Sequence, residues 1–322
     1  MKAMRLGGST QQPELVEQDV PQPAPRPGEV LVRVFAAGVT PTEVLWYPTS
    51  HTKSGDPRAG AVPSHEFSGV IAATGTGVTG FGIGDEIYGM NDWFDQGALA
   101  EYCVTEAQWI APKPRRLSHA EAASVPIGAL TAWQGLFSRA KLQPGERVLV
   151  QGGAGAVGVF AVQLARFRGA RVAATVSAGN LEFVKSLGAI QAIDHTAGPF
   201  EAEARDIDVV FDTVGGDTLR RSWDVLRPGG RLVTIAAEEE ASRDERSRAA
   251  FFIVEPDRLQ LVEIARLLDA GDLRPVVDSV VPLSQAGLVY AGKLARNGRG
   301  KVTVAVVERE RLAHGAGPAF PV

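Results

Sequence analysis

The feature that most constrains this chain is Gly153-Ala154-Gly155-Ala156-Val157-Gly158, set directly after the apolar run Val148 to Gln151. A helical stretch from Val157 to Arg168 follows it. In this setting the first glycine admits a tight turn, and the second lets backbone amides approach a pyrophosphate. The third lets helix and strand pack closely, with the helix amino terminus facing the anion. A plain strand-to-helix turn is the competing reading, and the downstream pattern argues against it. Arg171–Val176, Ile207–Asp212 and Gly230–Ile235 are further strand-like runs separated by helical spacing. Strands alternating with helices imply βαβ units and a parallel, doubly wound sheet in an α/β protein.

The first third reads as β-rich. Val30–Phe35, Gly69–Gly75, Asp85–Gly89 and Ala98–Val104 are short strands punctuated by glycine, as in a small barrel or sandwich. Tyr47 to Pro63 reads as a loop. Helical spacing runs from His119 to Ala140, and Asp257 to Ala270 carries a helical apolar face. Val276–Val281 and Val302–Val307 return to strand character, so the chain's end is expected to rejoin the first domain. Glu238 to Arg248 reads as a solvated excursion and Glu308 to Val322 as a loose tail.

The 322 residues fit about two domains by length. Lysine plus arginine number 33 against 37 acids, a net charge of −4, which argues against a general nucleic-acid binder. The single cysteine, Cys103, builds neither an internal disulfide nor a thiolate zinc site, and its place in a strand favours burial. Met1 to Gly8 lacks the apolar core of a secretory leader, and the glycine-broken stretch Val148 to Ala165 is no membrane span. A soluble, cytoplasmic protein is expected.

Ordered motifs over nearly the whole chain resemble the medium-chain dehydrogenase/reductase family, in its zinc-independent quinone oxidoreductase branch. They are Pro27–Val34, Ala36–Val39, Gly84–Gly89, Gly97–Tyr102, Gly128–Trp133, Phe211–Gly216 and Leu226–Arg231. The resemblance implies a GroES-like, barrel-like catalytic domain over 1–120 and 257–322, with a Rossmann cofactor domain over 121–256 inserted in it. It also implies NADP(H), reduction of quinones or of the C=C bond of enones and enals, and a homodimer. In zinc-dependent relatives two cysteines and a histidine hold the metal. Here those places are Thr40, His65 and Ile127, and a catalytic zinc needs about three protein ligands. His65-Glu66 therefore reads as a remnant or a structural hydrogen-bonding pair. Without a Lewis acid a conjugated acceptor is favoured, because it spreads the developing charge and a few hydrogen-bond donors suffice.

Cofactor choice turns on the residues after Val176. No acid appears among Ser177-Ala178-Gly179-Asn180, and a serine hydroxyl can donate to a 2′-phosphate that a carboxylate would repel. This favours NADPH, although Ser177 serves equally as a helix cap. The branch's usual phosphate-binding lysine and tyrosine are replaced, near Asn180 and at His195. By resemblance Thr40, Glu43 and Thr131 line the nicotinamide end, Thr213 and Val214 meet the ribose, and Phe251 to Ile253 meet the ring. On residue type alone Phe251 and Phe252 read more often as core. Arg296 falls at the branch's cofactor-binding arginine, in a cluster with Arg299 and Lys301 that otherwise reads as a solvated face. Tyr47 is the candidate proton donor, with packing in the cleft or a proton from water as alternatives. Two other functions stay in view: a cofactor-binding structural or regulatory protein without catalysis, and a zinc-type alcohol dehydrogenase.

Overall fold

The computed structural model describes residues 1–9, 12–236 and 244–307. Among the described residues, seven strands lie before residue 120: β1 (Lys2–Ser9), β2 (Gln12–Asp19), β3 (Glu29–Gly38), β4 (Glu66–Thr74), β5 (Glu86–Met90), β6 (Tyr102–Glu106) and β7 (Ile110–Pro112). Five more are β8 (Arg147–Gln151), β9 (Arg171–Val176), β10 (Gln191–Asp194), β11 (Ile207–Asp212) and β12 (Leu226–Thr234). The last two, β13 (Val277–Pro282) and β14 (Lys301–Ala305), come from the chain's end.

All pairings in the second group are parallel, in the order β10-β9-β8-β11-β12. The order reverses between β8 and β11, so a crevice opens beyond their carboxyl ends, where a dinucleotide is expected. The β8 and β11 side chains run almost continuously apolar and buried, as a sheet covered on both faces requires. The other sheet runs β13-β14-β3-β4-β5-β7, with β6 also on β3. Along one edge of β3, residues 29–33 pair with β6 and residues 36–38 with β14. Two register shifts against β4 bend β3 between those partners, the curvature a barrel-like sheet needs. The chain's end thus lies against its first third. β1 and β2 form a hairpin that the sequence reading did not mark. Tyr47–Ser50, within the expected loop, is a single helical turn started by Pro48. The expected tail, Glu308 to Val322, lies outside the described residues, as does most of the expected excursion; the end of the latter falls in a helix, Glu245–Ala250.

We propose the division into 1–120 with 257–322, and 121–256, on the grounds that the strands of each sheet stay on one side of it. The apolar core does not respect that division. Tyr88, Met90 and Ala111 of the barrel-like sheet share one cluster with Val148, Phe211 and the Leu261, Ile264 and Leu267 face of helix Arg258–Ala270. Tyr88 donates its hydroxyl to Leu261 O at 2.6 Å, and Trp93 Nε1 donates to Val254 O at 3.2 Å. The first ties the barrel-like sheet to helix Arg258–Ala270, and the second ties the segment after β5 to the residues before that helix.

Phe211 belongs to that cluster, fully buried, with its ring edge-on to Phe252 and filling the space beside Gly135. Phe211→Ala is expected to cost about 3–5 kcal/mol, read as a fall in the urea midpoint with an unchanged slope.

Candidate active site

The glycine loop is held from beneath by polar residues at strand ends. Thr175 Oγ1 donates to Gln151 Oε1 (2.7 Å) and accepts from the Gly152 amide (3.1 Å), while Thr213 Oγ1 donates to Gln151 O (2.7 Å). The left-handed turn falls on Gly152 (φ 77°), one residue before the glycine assigned to it from the motif; Gly153 has an ordinary backbone and packs against Ala174 and Val184. A side chain at Gly158 would lie 2.1 Å from Gly152 O, so the third glycine does permit the close helix–strand approach. Gly155 is exposed, with space on its open side. Ala156 and Val157 lead into helix Gly158–Phe167, whose amino terminus opens on the crevice. This cradle fits a pyrophosphate.

A buried polar cluster gathers near the starts of β4 and β14. Glu43 is fully buried; its Oε1 accepts from the Ser64 amide (2.9 Å) and from Tyr290 Oη (2.5 Å). Its Oε2 lies 2.6 Å from His65 Nδ1, and His65 Nε2 lies 3.2 Å from Asp95 O. Burial first, and then the neighbouring Glu43, push the Tyr290 phenol well above its ordinary range, so it stays a donor. Ser64 holds a left-handed backbone (φ 71°), unusual for a residue with a side chain, and its hydroxyl donates to Gly38 O.

Next to these, Glu66 is fully buried, pairs with Lys301 Nζ through Oε1, and accepts the Ile127 amide at Oε2 (2.9 Å). Burial pushes the Glu66 carboxyl up, against the opposite pull of Lys301 and the Ile127 amide. Lys301 Nζ also lies 3.5 Å from Thr40 Oγ1.

Two expectations are corrected here. His65 and Glu66 do not pair with each other; being consecutive at the start of a strand, they turn to opposite sides, one to Glu43 and the other to Lys301. Lys301 is no solvated charge but 3% exposed, because β14 carries it inside the sheet. Sequence reading also missed Tyr290 and Ser64. The available signal was a lysine opening the strand-like run Lys301–Ala305, beside one acid at the start of another strand.

The remaining candidates lie outside that cluster. Thr131 is buried and donates to Ile127 O (2.6 Å) within its helix. Val214 is half exposed beyond β11, and Phe252 is buried against Phe211. Ser177 and Asn180 sit together after β9, Asn180 Nδ2 donating to Ser177 Oγ at 3.2 Å. His195 is exposed at the end of β10, with its amide on Val176 O. Arg296 faces Asp278 at 3.4 Å. Tyr47 is 56% exposed and stacks flat on His51, with ring centroids 4.3 Å apart.

Zinc does not fit the residues around His65. Thr40 offers a hydroxyl, Ile127 offers nothing, and Glu66 is occupied by Lys301, which leaves one imidazole where about three ligands are needed.

Known proteins place this arrangement. Residues 26–115 match the alcohol dehydrogenase GroES-like domain and residues 187–304 the zinc-binding dehydrogenase domain. A 2-methylene-furan-3-one reductase of Solanum lycopersicum is 35% identical over 299 residues, spanning 90% of this chain and 74% of the relative. A chloroplastic NADPH-dependent alkenal/one oxidoreductase of Arabidopsis thaliana is 31% identical, over 90% of this chain and 75% of its own. The structure of the quinone oxidoreductase from Coxiella burnetii superposes with a TM-score of 0.83 at 28% identity, covering 95% of this chain and 99% of that one. The chain belongs to the medium-chain dehydrogenase/reductase family. It is an oxidoreductase of the nicotinamide-dinucleotide type, with a GroES-like domain and a Rossmann sheet.

Lys301→Met leaves the Glu66 carboxyl buried without its cation, and is expected to cost about 3–5 kcal/mol in urea unfolding. Since burial already raises the folded-state pKa of Glu66, the folded variant keeps a proton that the unfolded chain releases. Its deficit should therefore widen as pH rises above the ordinary carboxylate range. Adding Glu66→Gln should remove that slope and recover much of the loss.

Proposed function

We propose that this protein reduces the activated C=C bond of an enone or enal, or a quinone, with NADPH and without zinc. The observation that carries the reading is the pair Thr40–Lys301. Where zinc-dependent relatives place a metal-binding thiolate, this chain has a hydroxyl 3.5 Å from a buried ammonium. That is a hydrogen-bond donor set rather than a Lewis-acid set. When bound, the nicotinamide supplies the hydride. Thr40 Oγ1 then stands to stabilise charge developing on a conjugated carbonyl oxygen, and the ammonium of Lys301 stands to replace a proton that Thr40 gives up. A conjugated acceptor asks little more than this, because its charge is already delocalised.

Glu43 and Tyr290 serve by holding His65 and the Ser64 turn in place, so that the crevice wall is rigid before substrate enters. Tyr47, exposed and stacked on His51, is kept as a candidate donor from the rim. The relatives named for alkenal, furanone and quinone reduction support the substrate class. Loss of NADPH absorbance is expected with a panel of enones, enals and quinones, and a chelator should leave it unchanged. No turnover on any conjugated acceptor would overturn the reading.

NADPH is favoured over NADH because Ser177 and Asn180, rather than an acid, stand after β9. Ser177→Asp would repel a 2′-phosphate while accepting from a 2′-hydroxyl. We expect it to reduce the NADPH-to-NADH affinity ratio by about tenfold or more, measured by titration of both cofactors.

A further inference from the structure

We propose that Arg58 is a positioning residue for the acceptor site: its guanidinium fixes the two chain segments that carry Trp46 and Trp93 against each other, and so sets the shape of the wall a conjugated acceptor meets. The inference rests on the reduction reading above and adds a residue that acts through others, not on the acceptor itself. Among the described residues, no backbone hydrogen bond joins 46–50 to 92–96 directly. A side chain makes the link.

Arg58 Nη1 divides its two hydrogens between the segments, donating to Pro48 O (3.1 Å) and to Phe94 O (2.9 Å), while Nη2 donates to Asp95 O (2.6 Å). The side chain is half-buried, and the three carbonyl oxygens replace the water it gives up. Asp95 O also faces His65 Nε2 at 3.2 Å; a carbonyl only accepts, so Nε2 carries the hydrogen. The Asp95 carbonyl is thus a shared anchor, with Arg58 on one side and the imidazole held by Glu43 on the other. Trp93 lies inside this frame. Its ring stands edge-on to Trp46, with centroids 5.0 Å apart, and lies 5.1 Å from the His65 ring. Its Nε1 reaches Val254 O, two residues past Phe252, in the stretch next to the residues expected to meet the nicotinamide ring. Trp46 follows the turn Pro41–Leu45, which Thr40 opens.

The backbone explains why this arginine reaches both segments. Residues 51–57 leave and return as a narrow loop: His51 bridges Pro57, Thr52 N donates to Asp56 O (2.9 Å), and Gly55 takes a left-handed turn (φ 88°). Arg58 N then donates to Ser50 O (2.7 Å), which fixes its backbone beside the helical turn Tyr47–Ser50. Further on, Val62 meets the other segment. Its amide donates to Gln96 Oε1 (2.7 Å), and Gly97 N donates to Val62 O (2.7 Å). A second tie, Lys53 Nζ to Asp92 Oδ1 at 3.2 Å, has its lysine mostly in solvent, where such a pair is worth little. Of the two ties, Arg58 is the one for which water competes less.

The test compares a small and a bulky acceptor of whichever class the wild type reduces: but-2-enal with 4-phenylbut-3-en-2-one, or 1,4-benzoquinone with 9,10-phenanthrenequinone. Steady-state kinetics with NADPH are measured for the wild type, Arg58→Gln, Arg58→Lys and Lys53→Ala, each checked by thermal unfolding. Arg58→Gln is expected to shift the ratio of kcat/KM between the two acceptors by about tenfold, through KM more than kcat, with the KM for NADPH unchanged. Arg58→Lys should recover part of the ratio through its charge, and Lys53→Ala should keep all of it. A merely structural loss would scale both acceptors together. Hydrogen exchange adds a readout independent of turnover: amides of 46–50 and 92–97 should exchange faster in Arg58→Gln, while those of 152–158 stay as in the wild type. An Arg58→Gln chain with an unchanged ratio, or with unchanged exchange in both segments, would overturn the inference and leave the reduction reading standing. So would a Lys53→Ala chain that shifts the ratio equally. A wild type with no turnover on any conjugated acceptor would overturn both. Should Arg58→Gln fail to fold, an unchanged ratio in Arg58→Lys would count against the inference.

Discussion

An ammonium taken out of water has to be met by a negative charge, and much of the crevice is arranged around one such meeting. Lys301 opens β14 and Glu66 opens β4, on strands contributed by opposite ends of the chain. Their ion pair is fully enclosed, and Glu66 uses its second oxygen to accept the Ile127 amide at the start of helix Pro126–Trp133. Two strands and the first helix of the dinucleotide half are thereby held at one point. Gly38 leaves the space that Glu66 occupies: a Cβ there would lie 2.6 Å from its Cγ. Buried pairs of this kind are a weak source of net stability but a strong constraint on arrangement, since either partner alone is costly.

The same constraint shapes the chemistry. With Glu66 committed to Lys301 and Glu43 committed to His65, Ser64 and Tyr290, the acids around the crevice are spoken for. Thr40, by contrast, offers a hydroxyl backed by the ammonium of Lys301. Such a site favours reactions in which charge is already spread over a conjugated system. The glycine loop carries no charged side chain; a helix amino terminus and backbone amides are what it offers to an anion.

Legibility in the sequence divided along physical lines. The parallel sheet was readable because both periodicity and the glycine spacing act over short distances: Val148 to Gly158 carries its strand, turn and helix start in eleven consecutive residues. Even there the turn residue was misplaced by one, since Gly152 and Gly153 differ only in what surrounds them, Thr213 on one side and Ala174 on the other. Cys103 was read correctly as a buried strand residue, from its apolar neighbours. Of the two readings of His65-Glu66, a remnant or a hydrogen-bonding pair, the pair does not form. Adjacent residues of a strand face opposite ways, so their partners were bound to come from elsewhere.

What the sequence by itself determined, then, is the class of fold, the family and the place of the dinucleotide loop, all of which depend on local spacing and ordered motifs. The tertiary structure alone decided which charges are buried and which reach across to the loop after β9. Arg296, Arg299 and Lys301 look alike as a basic cluster on paper. In the fold they take three directions: toward Asp278, toward the loop after β9, and into the sheet beside Glu66. The reason is that a charge's role depends on its distance to groups far off in the chain, here 18, 119 and 235 residues away, and no local pattern encodes that distance.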